Sequence, residues 1–166
     1  MKIDILKNKI IKRIQAYIQH YNHEKYWKRR DIVVNQNSNK NLLTKIYFLY
    51  YIKKCDAWNL CSFGTNLNSG AQFTTPPILW HGPNGIIIGH DVRIGKNAII
   101  CQRVTITHGG GCIIGDNVFI GAGATILGHV RIGNNVKIGA NCVVTEDLPD
   151  NTTCVLPKAR IIAHEK

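Results

Sequence analysis

The stretch "IGDNVFIGAGATILGHVRIGNNVKIGANCVV", residues 114–144, decides the fold. Cut every six residues, it reads IGDNVF, IGAGAT, ILGHVR, IGNNVK and IGANCV. Isoleucine is always first, and Val118, Ala124, Val130, Val136 or Cys142 is always fifth. Neither the 3.6-residue period of a helix nor the two-residue alternation of an ordinary strand keeps this beat. A period of six, with one large and one small inward residue, predicts a parallel β-helix in which three short sides make one coil and each coil bonds to the next.

The same beat extends upstream through IGHDVR from Ile88, IGKNAI from Ile94, ICQRVT from Ile100 and ITHGGG from Ile106. Reading further back gives LNSGAQ from Leu67 and FTTPPI from Phe73. Two places break it: LWHGPNGII from Leu79 is three residues too long, and ITHGGGCI is two too long. Loops inserted in a rigid repeat can hold functional side chains without disturbing the core. His81 and His108 sit in these two insertions. Glycine follows the first apolar residue at positions 89, 95, 115, 121, 133 and 139, where a chain turning a corner is expected to need a backbone free of Cβ.

Residues 1–58 follow another period. Ile3, Leu6, Ile10, Ile14 and Ile18 recur at helical spacing, and "NLLTKIYFLYYIKKCDAW" (41–58) is a second apolar, aromatic segment. The expected organisation is a helical segment over 1–58, capping one end of a β-helix domain over 59–166. Lys7, Lys9, Lys12, Arg13, Lys25, Lys28, Arg29 and Arg30 make the first part basic. A solvated helix face accounts for such a run; a surface that approaches anionic lipid is the sharper reading.

The chain of 166 residues carries a formal charge of +11, which suits an anionic partner without choosing among nucleic acid, a membrane face and a phosphate-bearing cofactor. Lys, Asp or Gln interrupts every apolar run near the start, so no signal peptide or membrane span is expected, and a cytoplasmic protein, possible at the inner membrane face, is the reading. Six cysteines form no C-x-x-C pair and are read as reduced packing residues.

With these residues in view, the chain resembles the left-handed β-helix acyltransferases of the hexapeptide class, in particular serine acetyltransferase and relatives that O-acetylate surface polysaccharides. The resemblance spans roughly residues 60–163 and rests on LWHGPNGIIIG, CQRVTI with its glycines, IGAGATILG and IGANCVVTEDLPDNT. It implies a mainly β, left-handed prism with an N-terminal helical segment, acetyl-CoA as co-substrate, no metal, and a homotrimer whose active site lies between neighbouring prisms. It also implies that His81 is the general base. An alcohol is a poor nucleophile at neutral pH, and a positioned imidazole takes its proton during attack on the thioester.

Serine acetyltransferases carry an aspartate fifteen positions before this histidine; here Asn66 stands there and is expected to orient His81 in its place. Their longer loop after the glycine-rich turn is missing, with His108 as a partial substitute for substrate binding. The favoured acceptor is therefore a sugar hydroxyl of a capsule, O-antigen or exopolysaccharide, with serine O-acetylation of cysteine biosynthesis as the alternative. For the cofactor, the resemblance points to Gly109, Gly110, Ala122, Gly123 and Ala140, with Lys137, Lys158 and Arg160 for the CoA phosphates. Backbone N–H groups of Gly109–Gly111 are expected to support the thioester oxyanion. The terminal motif reads CVLPKARII, with Val155 at a glycine position and Lys158 inserted.

Three other readings compete. A γ-carbonic-anhydrase-like zinc site would draw on His81, His90, His108 and His129, but no two have the short spacing of paired ligands on one loop. A non-catalytic β-helix scaffold leaves the insertions unexplained. Nucleic-acid binding rests on charge alone, so no nucleic acid is expected as partner.

Overall fold

The computed structural model describes residues 10–11, 13–160 and 162. From β1 (Ser62–Phe63) onward the chain winds into a parallel solenoid of about four turns. Its first face stacks β1, β5 (Ile87–Ile88), β8 (Thr105–Ile106), β11 (Thr125–Ile126) and β14 (Val143–Val144). The second face stacks β4 (Gln72–Phe73), β6 (Arg93–Ile94), β9 (Ile113–Ile114) and β12 (Arg131–Ile132). The third stacks β7 (Ile99–Ile100), β10 (Phe119–Ile120), β13 (Lys137–Ile138) and β15 (Thr153–Cys154).

Each strand is two residues long, and its second residue points inward. Ile88, Ile94, Ile100, Ile106, Ile114, Ile120, Ile126, Ile132, Ile138 and Val144 are all at most 3% exposed, as are the fifth-position residues from Val92 to Cys142. Burying each isoleucine contributes about 1.5–3 kcal/mol, so one column of large side chains and one of small ones supply the core. The register reports the insertions directly. Thr125 pairs with Val143, one coil of eighteen apart. Thr105 pairs with Thr125, two residues more, and Gln72 with Arg93, three more.

Two expectations are corrected here. LNSGAQ is not a coil side: β2 (Thr65–Asn66) and β3 (Ser69–Gly70) pair antiparallel around Asn68 at φ +57°, and the six-residue register starts at β4. The glycines after the inward isoleucines are not there for their dihedrals either. Positive φ falls two residues later, at Asn97, Asn117, Gly123, Asn135 and Asn141. A Cβ on Gly95 would instead lie 2.6 Å from the Gly115 carbonyl carbon, and one on Gly121 would lie 2.6 Å from the Ala140 nitrogen. Coils only about 4.8 Å apart leave no room for a side chain at that corner.

Asparagine does the turning, because its short amide tolerates the left-handed region. At the corner between the second and third faces, Asn97, Asn117, Asn135 and Asn151 form a ladder of side-chain bonds of 3.1, 3.2 and 2.9 Å. Asn117→Ala would break two rungs and hold a Cβ at φ +58°, and should cost about 2 kcal/mol by urea unfolding, with Asn117→Gly costing less.

One end is covered by α1 (His23–Val34) and α2 (Leu42–Trp58), each started by an asparagine cap: Asn22 accepts from the Lys25 N–H and Asn41 from that of Thr44. The helices share a core with the first coil. The Trp27 ring stands edge-on to Phe63 and Phe73 at 5.2 and 4.7 Å between centroids. Buried Arg30 donates to Thr65 Oγ1 at 3.0 Å and to the Phe63 and Ala71 carbonyls at 2.7 Å each. Burial lowers its pKa to about 10, so it stays charged at neutral pH. Nearby, burial pushes the Asp56 carboxyl up to about 6, although the Tyr26 hydroxyl donates to it at 2.6 Å.

Several basic residues turn out to be structural. The Arg29 guanidinium lies 4.2 Å from the Tyr51 ring centroid, Lys25 sits over the same ring, and Lys45 Nζ bonds the Asn35 carbonyl and Asn68 Oδ1. Lys25, Arg29 and Arg30 are thus held against the protein's own groups, which corrects the reading of the whole run as a free basic face. Ile3, Leu6, Lys7, Lys9 and Lys12 lie outside the described residues. Among the described residues no helix is long and apolar enough to cross a membrane. All six cysteines are free, and all but Cys154 are buried.

Candidate active site

The three-residue insertion leaves the corner between the third and first faces. Ile78 bridges Ile99 on the third face, and the chain regains the first face at β5. Gly82 and Gly85, at φ +73° and +67°, bend the loop between them. Its base is pinned by the Gly85 N–H to the Asn59 carbonyl at 3.1 Å, and by buried Ile86. Asn84 braces the tip, its side-chain amide donating to the His81 carbonyl at 3.1 Å. His81 is left exposed on a rigid turn, beside Trp80, whose ring packs 5.6 Å from that of Phe119. A cleft of about 800 Å³ runs past both, lined also by Gln15, Gln19 and Asn22.

Below His81 the same corner descends coil by coil. The Arg103 N–H donates to the Asn84 carbonyl, the Gly123 N–H to that of Gln102, and the Asn141 N–H to that of Ala122. Ala122, Gly123 and Ala140 therefore form a column of small residues on the corner of the histidine loop, separated from it by the coil of Gln102 and Arg103. A Cβ on Gly123 would crowd the Asn141 side chain, so the column stays narrow and open to a slender ligand. Lys137 is exposed on the third face next to this column, opposite Phe119 and Thr153. Lys158 and Arg160 are exposed in the irregular segment after β15.

The second insertion leaves a different corner, between the first and second faces, so His108, Gly109 and Gly110 are not beside His81 within one chain. Nor is Asn66, which lies between β1 and β4 at that second corner. The expected Asn66–His81 pair is therefore not formed within the chain. The hairpin that displaced the LNSGAQ register carries Asn66 away.

The oxyanion expectation for Gly109–Gly111 is also overturned. The N–H groups of Gly109, Gly110 and Gly111 all converge on Asp91 Oδ2, at 2.9, 3.2 and 3.1 Å. These bonds hold the exposed Asp91 carboxyl down at about 2, the Gly109 bond contributing most. The nest is filled by the protein's own carboxylate and has no donor left for a substrate. Gly110 must be glycine, since a Cβ at φ +145° would meet the His129 backbone at 2.8 Å. A depressed carboxyl pKa stabilises above the ordinary value near 3.8 and loses that contribution as pH falls toward 2. Asp91→Ala should accordingly raise amide exchange at Gly109–Gly111 several-fold at neutral pH, and acidification of the unmodified protein toward pH 2 should do the same.

Asp91 and Arg103 went unremarked in the sequence. Asp91 could have been found by its place one coil before the glycine run, and Arg103 by standing where the equivalent corner residues are Gly85, Gly123 and Asn141. Among the described residues, no three His, Cys, Asp or Glu side chains are grouped to hold a metal ion.

Residues 111–146 match the family model of the bacterial transferase hexapeptide (six repeats), and residues 85–109 that of the hexapeptide repeat of succinyl-transferase. The chain carries hexapeptide repeats and is similar to the serine acetyltransferases. The Helicobacter pylori serine acetyltransferase is 36% identical over 109 residues, 62% of this chain and 63% of that one. That of Staphylococcus epidermidis is 39% identical over 111 residues, 61% and 50% of the two. A solved serine acetyltransferase in complex with CoA superposes with a TM-score of 0.55 at 31% identity, covering 71% of this chain and 48% of the other. The chain thus spans about half to just under two thirds of the length of these relatives. The hexapeptide matches contain the Ala122–Gly123–Ala140 column, Lys137, His108 and Gly109, whereas His81, Asn66, Gly110, Lys158 and Arg160 lie outside them.

Proposed function

We propose that this hexapeptide-repeat protein transfers an acetyl group from acetyl-CoA to a hydroxyl, in the manner of a serine acetyltransferase, with His81 as general base. The observation that carries the reading is the single corner shared by the exposed His81 and the small-residue column beneath it. The column would take the pantetheine arm and present the thioester to the loop, with Lys137, Lys158 and Arg160 toward the phosphates. His81 would remove the acceptor proton as the oxygen attacks the thioester carbonyl. Collapse of the tetrahedral adduct breaks the C–S bond, and the thiolate recovers the proton from the imidazolium.

Serine is the acceptor named by the curated relatives and is taken as the first candidate. A sugar hydroxyl is the second, favoured by one observation: the cleft beside His81 is some 800 Å³ and carries an exposed tryptophan and amide side chains, more than serine needs. A trimer would complete the site, setting His108, Gly109 and Gly110 of one prism against the His81 corner of the next. We take the protein to work in the cytoplasm. Thiol release from acetyl-CoA with L-serine beside a panel of sugars tests the assignment. Release with serine supports the first acceptor, release with a sugar alone supports the second, and equal release by His81→Ala would remove the proposed base.

A further inference from the structure

Among the described residues, nine non-glycine residues have positive φ, and within the coils every one except Arg103 is asparagine. Arg103 holds φ +61°, a conformation that strains a residue with a long side chain, and strain of this kind persists where surrounding structure enforces it. Its place is informative. Directly above is Gly85, to which a Cβ would bring the Arg103 Cγ within 3.2 Å, and directly below is Gly123. Asn84 ties it to the base: the Asn84 side chain holds the His81 carbonyl and the Asn84 carbonyl holds the Arg103 N–H at 2.9 Å. The Arg103 backbone is thereby fixed on the histidine corner, one coil beneath the loop, and its side chain is exposed there.

We infer that Arg103 determines acceptor specificity by holding a carboxylate on the hydroxyl-bearing acceptor. The inference rests on the acetyl-transfer reading and deepens it. The planar guanidinium matches a carboxylate with two parallel hydrogen bonds. Among the described residues, the lining of the cleft beside His81 holds no arginine and no lysine, so the cation for an acceptor carboxylate is sought one coil below, where Arg103 stands outside that lining. The CoA phosphates are not its partners, because the whole pantetheine arm separates them from the thioester, which must sit at the His81 end. Within the two proposed acceptor classes, the molecules that carry a hydroxyl beside a carboxylate are a free hydroxy amino acid such as serine and a uronic acid.

The test compares the full chain with Arg103→Gly and Arg103→Lys, using L-serine against serinol and glucuronate against glucose. Glycine accepts positive φ freely, so Arg103→Gly should keep or raise the thermal midpoint. It should raise KM for the carboxylate acceptor at least tenfold, leave KM for acetyl-CoA unchanged, and abolish preference over the neutral analogue; Arg103→Lys should retain part of that preference. The serine and glucuronate arms separate the two sources. A rise in KM for acetyl-CoA would make Arg103 a phosphate contact, and a fall in kcat alone would make it an oxyanion donor; either overturns the inference, as would wild-type indifference to the carboxylate. If no acceptor is turned over, the acetyl-transfer reading fails, but calorimetry of L-serine and glucuronate with CoA present still decides: binding lost in Arg103→Gly supports the carboxylate role, and no binding or equal binding overturns it.

Discussion

Replacing His81 with alanine is expected to lower kcat by about 10²–10⁴-fold while changing KM for acetyl-CoA little. The loop that carries His81 is held by bonds that do not involve its imidazole. Asn84 grips its carbonyl, Gly85 is tied to Asn59, and Ile86 is buried in the first coil. The substitution therefore removes the base without moving the scaffold, and its circular dichroism and thermal midpoint should match those of the unmodified protein. Steady-state kinetics at saturating acetyl-CoA make the measurement. Undiminished kcat in a folded variant would mean that the proton leaves by another route and that His81 is a surface histidine on a convenient turn.

Arg30→Met is expected to give the largest stability loss, about 3–5 kcal/mol by urea unfolding. The estimate follows from stranding the Phe63 and Ala71 carbonyls and the Thr65 hydroxyl, since each buried polar group left unpaired costs about 1–3 kcal/mol. Methionine keeps much of the volume, so the loss reports hydrogen bonding more than packing. Because Arg30 joins α1 to the first coil, the helices should detach before the later coils melt. Protection from amide exchange would then fall at residues 23–58 while Ile120, Ile126 and Ile138 stay protected. Uniform loss across the chain would instead show that the cap and the prism unfold as one unit.

The solenoid was legible because six-residue spacing leaves one geometric solution, and the same spacing marked both insertions by length alone. Of the two capping helices, α2 was legible as the apolar segment 41–58, whereas α1 at His23–Val34 carries no apolar period that marked it out. Their attachment was not legible, because nothing in "KRRD" distinguishes Arg30, buried under α1, from Arg29, stacked on Tyr51 at the surface. The role of the repeat glycines was misread for a similar reason. Whether a glycine serves a dihedral or a close approach depends on the neighbouring coil, eighteen or so residues away, and local sequence does not contain it.

The candidate site divides along the same line. Sequence by itself determined that this protein is a β-helix with a histidine in one insertion and a glycine run in the other, because periodic burial and chain length are properties of the linear order. Tertiary structure alone decided which corner each insertion occupies. It placed His81 above Ala122, Gly123 and Ala140, parted it from Asn66 and His108, and closed the Gly109–Gly111 nest on Asp91. Such juxtapositions follow from how many residues each face and corner consumes across successive coils. A hairpin or an insertion in one coil therefore shifts which side chains meet without changing the repeat that encodes the fold.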